Sequence, residues 1–368
     1  MSNRLKAELE RLQKTHTNLK TTNEKRPAQQ KVKNYTVQMQ DNQVLYSSLA
    51  PLPQDNRDFA ITMHTDWAAE LVDSIPDVDE FYILPPETTY WTMYALEHNK
   101  VGLITGPPGT GKTALVRQCC ALTKRPYIRI NGMAGLDPSD QIGMLQLRDK
   151  ETYFAYGDVA IAAKYGACLA YDEPWKNSAG TNMCFMNVME KDHPKLLLYG
   201  HPDYKQRHLT PHENFRIILC DNVRGTGDDI DKYAATEHQD SALLNRVNLH
   251  MHLDYLSPEQ ESELVLKKYP KMDTELLGRI ILFGNSLRAA WNSEQVDHPY
   301  SPRNLLEWMD AYAFSQNLTQ SFIYSYSFLG ESEVVQALIR SLWDDTGLPW
   351  ARKSSDVKWE QKNANAAV

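Results

Sequence analysis

Eight residues, Gly106-Pro107-Pro108-Gly109-Thr110-Gly111-Lys112-Thr113, limit what this chain can fold into more than any other stretch. They satisfy G-x-x-x-x-G-K-[ST]. The apolar run Val101-Gly102-Leu103-Ile104-Thr105 before them reads as a buried strand, and Ala114-Leu115-Val116-Arg117-Gln118 after them opens a helix. A strand entering a helix through such a turn builds a phosphate cradle. Gly106, Gly109 and Gly111 permit backbone angles that a side chain forbids, so successive N–H groups converge on one polyphosphate where the helix dipole also favours negative charge. Lys112 then reaches for the β- and γ-phosphates, and Thr113 offers its hydroxyl to Mg²⁺. A glycine-rich turn with a chance lysine is the bland alternative, and the flanking strand and helix weigh against it.

Hydrolysis of a bound nucleotide needs a further metal ligand and a group that polarises the attacking water. Ala167-Cys168-Leu169-Ala170-Tyr171-Asp172-Glu173, an apolar strand ending in two carboxylates, supplies both. Asp172 is expected to hold the hydrated Mg²⁺, and Glu173 to act on the water. Around these segments helices and strands alternate. Helices are expected over 88–98, from the phosphate loop to about residue 122, over 159–164, 181–190 and near Ser241, and strands over 126–130, 167–171, 215–220 and 247–253. In the first helix Tyr90, Met93 and Tyr94 would face the sheet. Such alternation implies a parallel sheet covered by helices on both faces.

Two stretches interrupt the alternation. Met144-Leu145-Gln146-Leu147 and Thr152-Tyr153-Phe154-Ala155 read as a hairpin inserted into a helix, and Leu196-Leu197-Leu198-Tyr199 begins a second, though neither has a strict two-residue turn signal. From Ser257 the pattern is helical only. Ser257-Pro258-Glu259-Gln260 combines an N-cap, a proline at the first helical position and a capping-box Gln, and further helices fit 274–291, 302–316 and 332–345, with Gly347 as a stop.

Composition narrows the class. A length of 368 residues allows two domains, and 42% apolar with 23% charged residues is ordinary for a soluble globular protein. No apolar run approaches the roughly 18 residues of a membrane span, and the opening residues lack the apolar core of a secretory signal, so a cytoplasmic protein is expected. Five cysteines without C-x-x-C read as buried reduced thiols. The net charge of −8 divides into +6 through Lys33 and −14 for the rest. That acidic body argues against a general nucleic-acid binder, and the basic arm reads as a solvated tail.

With these motifs in place the chain resembles the AAA+ ATPases from about Tyr82 to Pro349. Within that class it is similar to the MoxR type and especially the small AAA+ subunit of cobaltochelatase. Asp137-Pro138-Ser139-Asp140-Gln141-Ile142-Gly143 looks like the lead into the family's helix-2 insert, and the strand ending at Asn222 looks like the one carrying sensor 1. The resemblance makes Arg246, in Leu244-Asn245-Arg246-Val247, an arginine finger for the neighbouring subunit's nucleotide. It makes Arg303, in Ser301-Pro302-Arg303-Asn304, a sensor 2 residue on the γ-phosphate of its own subunit. It further implies ATP and Mg²⁺ as cofactors, a homo-oligomeric ring, a hexamer, and a protein partner carrying a von Willebrand factor A domain.

The chain then divides into a basic arm (1–33), a lead-in packed on the core (34–86), an AAA+ α/β core (87–256), an all-helical lid (257–350) and a tail (351–368). The expected activity is ATP hydrolysis by a ring-forming motor that remodels a protein partner. A cobaltochelatase-like metal-insertion ATPase, a nucleic-acid-directed motor and a slow nucleotide-gated scaffold stand as alternatives. The acidic body and the absence of a basic-aromatic stripe in either hairpin count against the nucleic-acid reading.

Overall fold

A computed structural model describes residues 40–223, 241–326 and 332–349. The arm expected over 1–33 and the tail expected over 351–368 lie outside the described residues, as do residues 224–240 and 327–331. The chain first forms an antiparallel pair that the sequence did not suggest, β1 (Gln43–Leu45) with β2 (Ala60–Thr62). It leans on helix α1 (Pro86–Glu97), where the Glu97 carboxylate accepts from the Thr62 amide at 3.0 Å and from its hydroxyl at 2.7 Å.

This contact corrects one expectation. Tyr90 and Tyr94 turn toward Phe59 of the lead-in and not toward the sheet. Thr88 and Thr92, on the next face of α1, meet the last core strand through the His252 carbonyl and the Met251 sulfur. Small hydroxyl side chains let the helix lie close to the sheet, and the larger rings fill the gap between α1 and the lead-in.

The core follows the expected alternation: β3 (Gly102–Thr105), α2 (Lys112–Leu122), β4 (Tyr127–Asn131), α3 (Pro138–Ile142), the hairpin β5 (Gly143–Arg148) and β6 (Glu151–Tyr156), α4 (Asp158–Tyr165), β7 (Cys168–Asp172), α5 (Ala179–Met183), the short pair β8 (Leu196–Leu197) and β9 (His208–Leu209), β10 (Arg216–Asp221), α6 (Ser241–Leu244) and β11 (Leu249–His252). Five of these strands form one parallel sheet in the order β11-β3-β10-β7-β4. Side chains alternate across it with period two. Leu169, Tyr171, Ile217 and Leu219 pack with α4 on one face. Cys168, Ala170, Ile218 and Cys220 pack with Leu115, Val116, Cys119 and Cys120 of α2 on the other. All five cysteines are free thiols, and four are buried.

Two local departures have physical causes. The helix expected over 181–190 breaks into α5 and a 3₁₀ turn, Met186–Met189, because Cys184 and Phe185 bond back three residues to Thr181 and Asn182. The insert hairpin does close with two residues, Asp149 and Lys150, at φ 53° and 68°. That is type I′ geometry made without glycine, which is why the turn signal was not visible. The hairpin sits between α3 and α4, as an insertion in a helix should.

The remaining chain is helical: α7 (Pro258–Lys268), α8 (Thr274–Asn292), α9 (Pro302–Ser315), α10 (Leu318–Ser325) and α11 (Glu333–Asp345). Reciprocal capping boxes open α7 at Ser257 and Gln260 and α9 at Ser301 and Asn304. Helix α10 was not expected. Asn317 caps it, and Phe322 enters an aromatic core with Phe283, Trp308 and Trp343. Among the described residues no helix is long and apolar enough to cross a membrane.

Candidate active site

Lys112, Thr113, Asp172, Glu173, Asn222 and Arg303, six of the residues singled out from the sequence, line one cavity of about 450 Å³. The fold explains why. Parallel strands deliver their carboxyl ends to the same edge, so the loop after β3, the carboxylates ending β7 and the residue after β10 converge there.

The phosphate loop has the backbone its glycines allow. Gly109 and Gly111 lie at φ 76° and 91°, and Gly111 forms the N-cap of α2. Added bulk would not be tolerated. A Cβ on Gly109 would lie 2.5 Å from the Ser301 side chain, and one on Gly106 would collide with the Leu253 carbonyl. Lys112 is buried, and its ammonium donates to the carbonyls of Gly106 and Pro107 at 2.8 and 2.9 Å and to Asn222 Oδ1 at 2.8 Å. Burial lowers its pKa, while Cys220, Asp172, Asp221 and Glu173 pull it upward. Asn222 is therefore aimed at the loop, at the tip of β10.

Both carboxylates ending β7 are paired. Asp172 accepts from Arg129 of β4 at 2.5 Å, and Glu173 accepts from Lys176 at 2.7 Å. Glu173 sits in the left-handed region at φ 53°, which costs a non-glycine residue about 1 kcal/mol and turns the chain sharply after the strand. Gly132 makes room for that turn, since a Cβ there would collide with the Glu173 carbonyl. The adjacent Asp221 is buried. Desolvation raises its carboxyl to about 6, against hydrogen bonds from the backbone amides of Val223, Trp175 and Asn222.

The segment that leads from β11 into α7 meets the loop. Tyr255 donates to the Pro108 carbonyl at 3.3 Å, and the Arg288 guanidinium lies 4.7 Å from the Tyr255 ring centroid. Arg288 is itself buried, paired with Glu261, and donates to the Tyr300 carbonyl at 2.8 Å, immediately before the capping box of α9. That network sets where α9 begins and hence where exposed Arg303 stands. Among the described residues Arg303 has no hydrogen bond or ion pair.

Arg246 is elsewhere. It lines a second cavity, of about 320 Å³, bounded by Val101, Phe215 and Asn248 at the amino ends of β3, β10 and β11. The six residues of β10 separate the two edges by roughly 20 Å at about 3.3 Å per residue. Arg246 is part-buried, donates to Glu190 through two nitrogens and to the Ala242 carbonyl at 2.7 Å.

Arg117 and Arg129 also line the first cavity and were not singled out from the sequence. Local sequence carried no signal for Arg129: it is an exposed position on the edge strand β4, and its place beside Asp172 depends on the strand order. Four cations, Lys112, Arg117, Arg129 and Arg303, thus face two carboxylates. The open glycine loop and this positive excess fit a nucleotide polyphosphate. Thr113 and Asp172 fit a magnesium ion that draws its other ligands from phosphate and water, since no cluster of three or more His, Cys, Asp or Glu exists among the described residues.

Part of the chain matches a known family, and the chain is similar to several known proteins. Residues 102–247 match the AAA domain of the dynein-related subfamily. The chain is 25% identical over 275 residues to the aerobic cobaltochelatase subunit CobS of Sinorhizobium sp., covering 72% of this chain and 80% of that one. It is 29% identical over 203 residues to the gas vesicle ATPase GvpN of Haloferax mediterranei, covering 50% of this chain and 55% of GvpN. Among solved structures, the Thermotoga maritima RuvB Holliday junction branch migration motor aligns with TM-score 0.41 at 13% identity, over 74% of this chain and 72% of that one.

Proposed function

Residues 102–247 are an AAA domain and the chain is an AAA+ ATPase; from that premise we propose that it is a ring-forming motor of MoxR type, built as a hexamer, that uses ATP hydrolysis to remodel a protein partner. The observation that carries this reading is the separation of the two cavities. The edge with Lys112, Thr113, Asp172, Glu173 and Asn222 lacks Arg246, which lies at the other edge of the same sheet. A subunit so divided completes its site only against a neighbour.

In this reading Lys112 leaves its loop carbonyls for the β- and γ-phosphates, and Thr113 and Asp172 hold magnesium, whose charge neutralises the polyphosphate when it is bound. Glu173 orients and polarises the attacking water, Asn222 steadies the γ-phosphate end, and Arg303 brings the lid onto it. Arg246 of one subunit stabilises the developing charge in the next. Helix α9 starts against Gly109, so a change at the phosphates is passed to the lid as a rigid-body shift.

A protein partner is favoured by the insert hairpin. It exposes Leu145, Leu147 and Tyr153, while Arg148 and Lys150 at its tip are balanced by Asp149 and Glu151. Such a surface offers apolar contact without the positive field that nucleic acid requires. The similarity to CobS, over 80% of its length, favours a metal-insertion complex as a narrower reading, with a partner bearing a von Willebrand factor A domain. The test is phosphate release by the full chain with candidate von Willebrand factor A proteins and with single-stranded DNA. Several-fold stimulation by a protein alone supports the reading; stimulation by DNA alone contradicts it.

A further inference from the structure

We propose that Glu190 is the positioning residue for Arg246. This rests on the reading that Arg246 acts on a neighbouring subunit's nucleotide, and deepens it. Arg246 follows the short helix α6, in a loop where a long side chain would otherwise sample many rotamers. Glu190 ends the 3₁₀ turn Met186–Met189, on a different segment brought alongside by the fold. Its Oε1 accepts from both Nε and Nη2 of Arg246, at 3.0 Å for Nε, while Nη1 donates to the Ala242 carbonyl. Three points therefore fix the guanidinium plane.

Two facts set this arrangement apart from a pair that merely holds the fold. The side chains are 24% and 41% exposed for Arg246 and Glu190, so the pair is partly solvated and contributes little to stability. The three bonds also use only three of the five guanidinium N–H groups, one each on Nε, Nη1 and Nη2. One N–H on each terminal nitrogen is left to donate, from a group already held in one orientation, to an anion presented at this edge. Buried Arg216, in contrast, spends its donors on the carbonyls of Leu96, Glu213 and Phe215 and has a structural role. Orientation set before the reaction removes an entropic cost from the transition state, so the effect of Glu190 belongs in kcat and not in nucleotide affinity.

The test is a mutant cycle on the full chain with Glu190→Ala, Glu190→Gln, Arg246→Ala and the Glu190→Ala/Arg246→Ala double variant. ATPase rate, KM for ATP, assembly state and melting temperature are read for each. Glu190→Ala is expected to lower kcat by about 10- to 100-fold with KM and assembly unchanged. Glu190→Gln, which keeps the accepting oxygen, should fall between, and the double variant should be no slower than Arg246→Ala. Should Glu190→Ala fail to fold or assemble, the Gln variant and its cycle with Arg246→Ala decide. A wild-type or faster rate for the Glu190 variants beside a slow Arg246→Ala overturns positioning, and a faster rate identifies a restraint instead. Independent, multiplicative losses in the double variant overturn it as well. A fully active Arg246→Ala sinks the trans reading of Arg246 itself, which separates that failure from this one.

Discussion

The two edges of the central sheet treat their charges differently. At the carboxyl edge four cations surround two carboxylates, and three of them, Arg117, Arg129 and Arg303, are exposed beside the phosphate loop. At the amino edge Arg246 is held by a carboxylate on a neighbouring turn. Strand β10 carries the contrast within itself. Its last residue, Asp221, is a buried acid raised to about 6 by desolvation, and its first, Arg216, is a buried base lowered to about 10 by the same cause. Asp221 and Arg216, buried and bonded to backbone groups, hold the fold. The partly exposed pairs Arg129–Asp172, Lys176–Glu173 and Arg246–Glu190 remain able to exchange partners at the two cavities, where Lys112 is the buried exception.

The strongest way to break this contrast is at the phosphate loop. Lys112→Ala should weaken nucleotide binding by about 100-fold or more, because its charge contributes to the ground state, whereas Glu173→Gln should bind within about threefold of wild type and hydrolyse about 1000-fold more slowly. Fluorescent-nucleotide titration beside single-turnover phosphate release separates the two, and equal loss of binding in both would remove Glu173 from its assigned role.

A smaller effect sharpens the exchange of partners at Asp172. If Arg129 must yield this carboxylate to magnesium, Arg129→Gln should lower the Mg²⁺ concentration for half-maximal nucleotide binding by about threefold, read with Mn²⁺ as a spectroscopic substitute. A higher requirement would mean that Arg129 orients Asp172 for the metal.

The smallest effect concerns stability at the end of β10. With the Asp221 carboxyl raised to about 6, the folded protein keeps a proton that the unfolded chain has released above about pH 4. Its stabilising contribution is full below the unfolded pKa and is lost as pH rises through about 6. Asp221→Asn should remove a fall of about 2 kcal/mol between pH 4 and 7 in urea-derived stability. An unchanged pH profile would place a different group behind any such slope.

How much of this was legible in the chain depended on whether the information was local. The phosphate loop, the paired carboxylates after an apolar strand and the capping box at Ser257 are each written within about eight residues. Their partners are not. Arg129 meets Asp172 only because β4 and β7 are neighbours in a register that pairs Arg129 with Ala170, and Glu190 meets Arg246 across 56 positions of sequence. Asp149-Lys150 turns without the glycine that would have announced it, and the break after α5 follows from three-residue hydrogen bonds that periodicity does not encode. Helix α10 escaped because Asn317 caps a short segment directly after α9, where the apolar pattern looks continuous with its neighbour.

The central claim, that the amino edge of one subunit serves the carboxyl edge of another, is tested most directly by mixing two inactive proteins. Arg246→Ala keeps Lys112 and Glu173, and Glu173→Gln keeps Arg246, so a mixed ring contains some intact loops facing intact fingers. With subunit exchange verified by labelled protein and several ratios tried, partial recovery of ATPase rate above either variant alone is the predicted result. No recovery at any ratio, or a fully active Arg246→Ala protein, would contradict it.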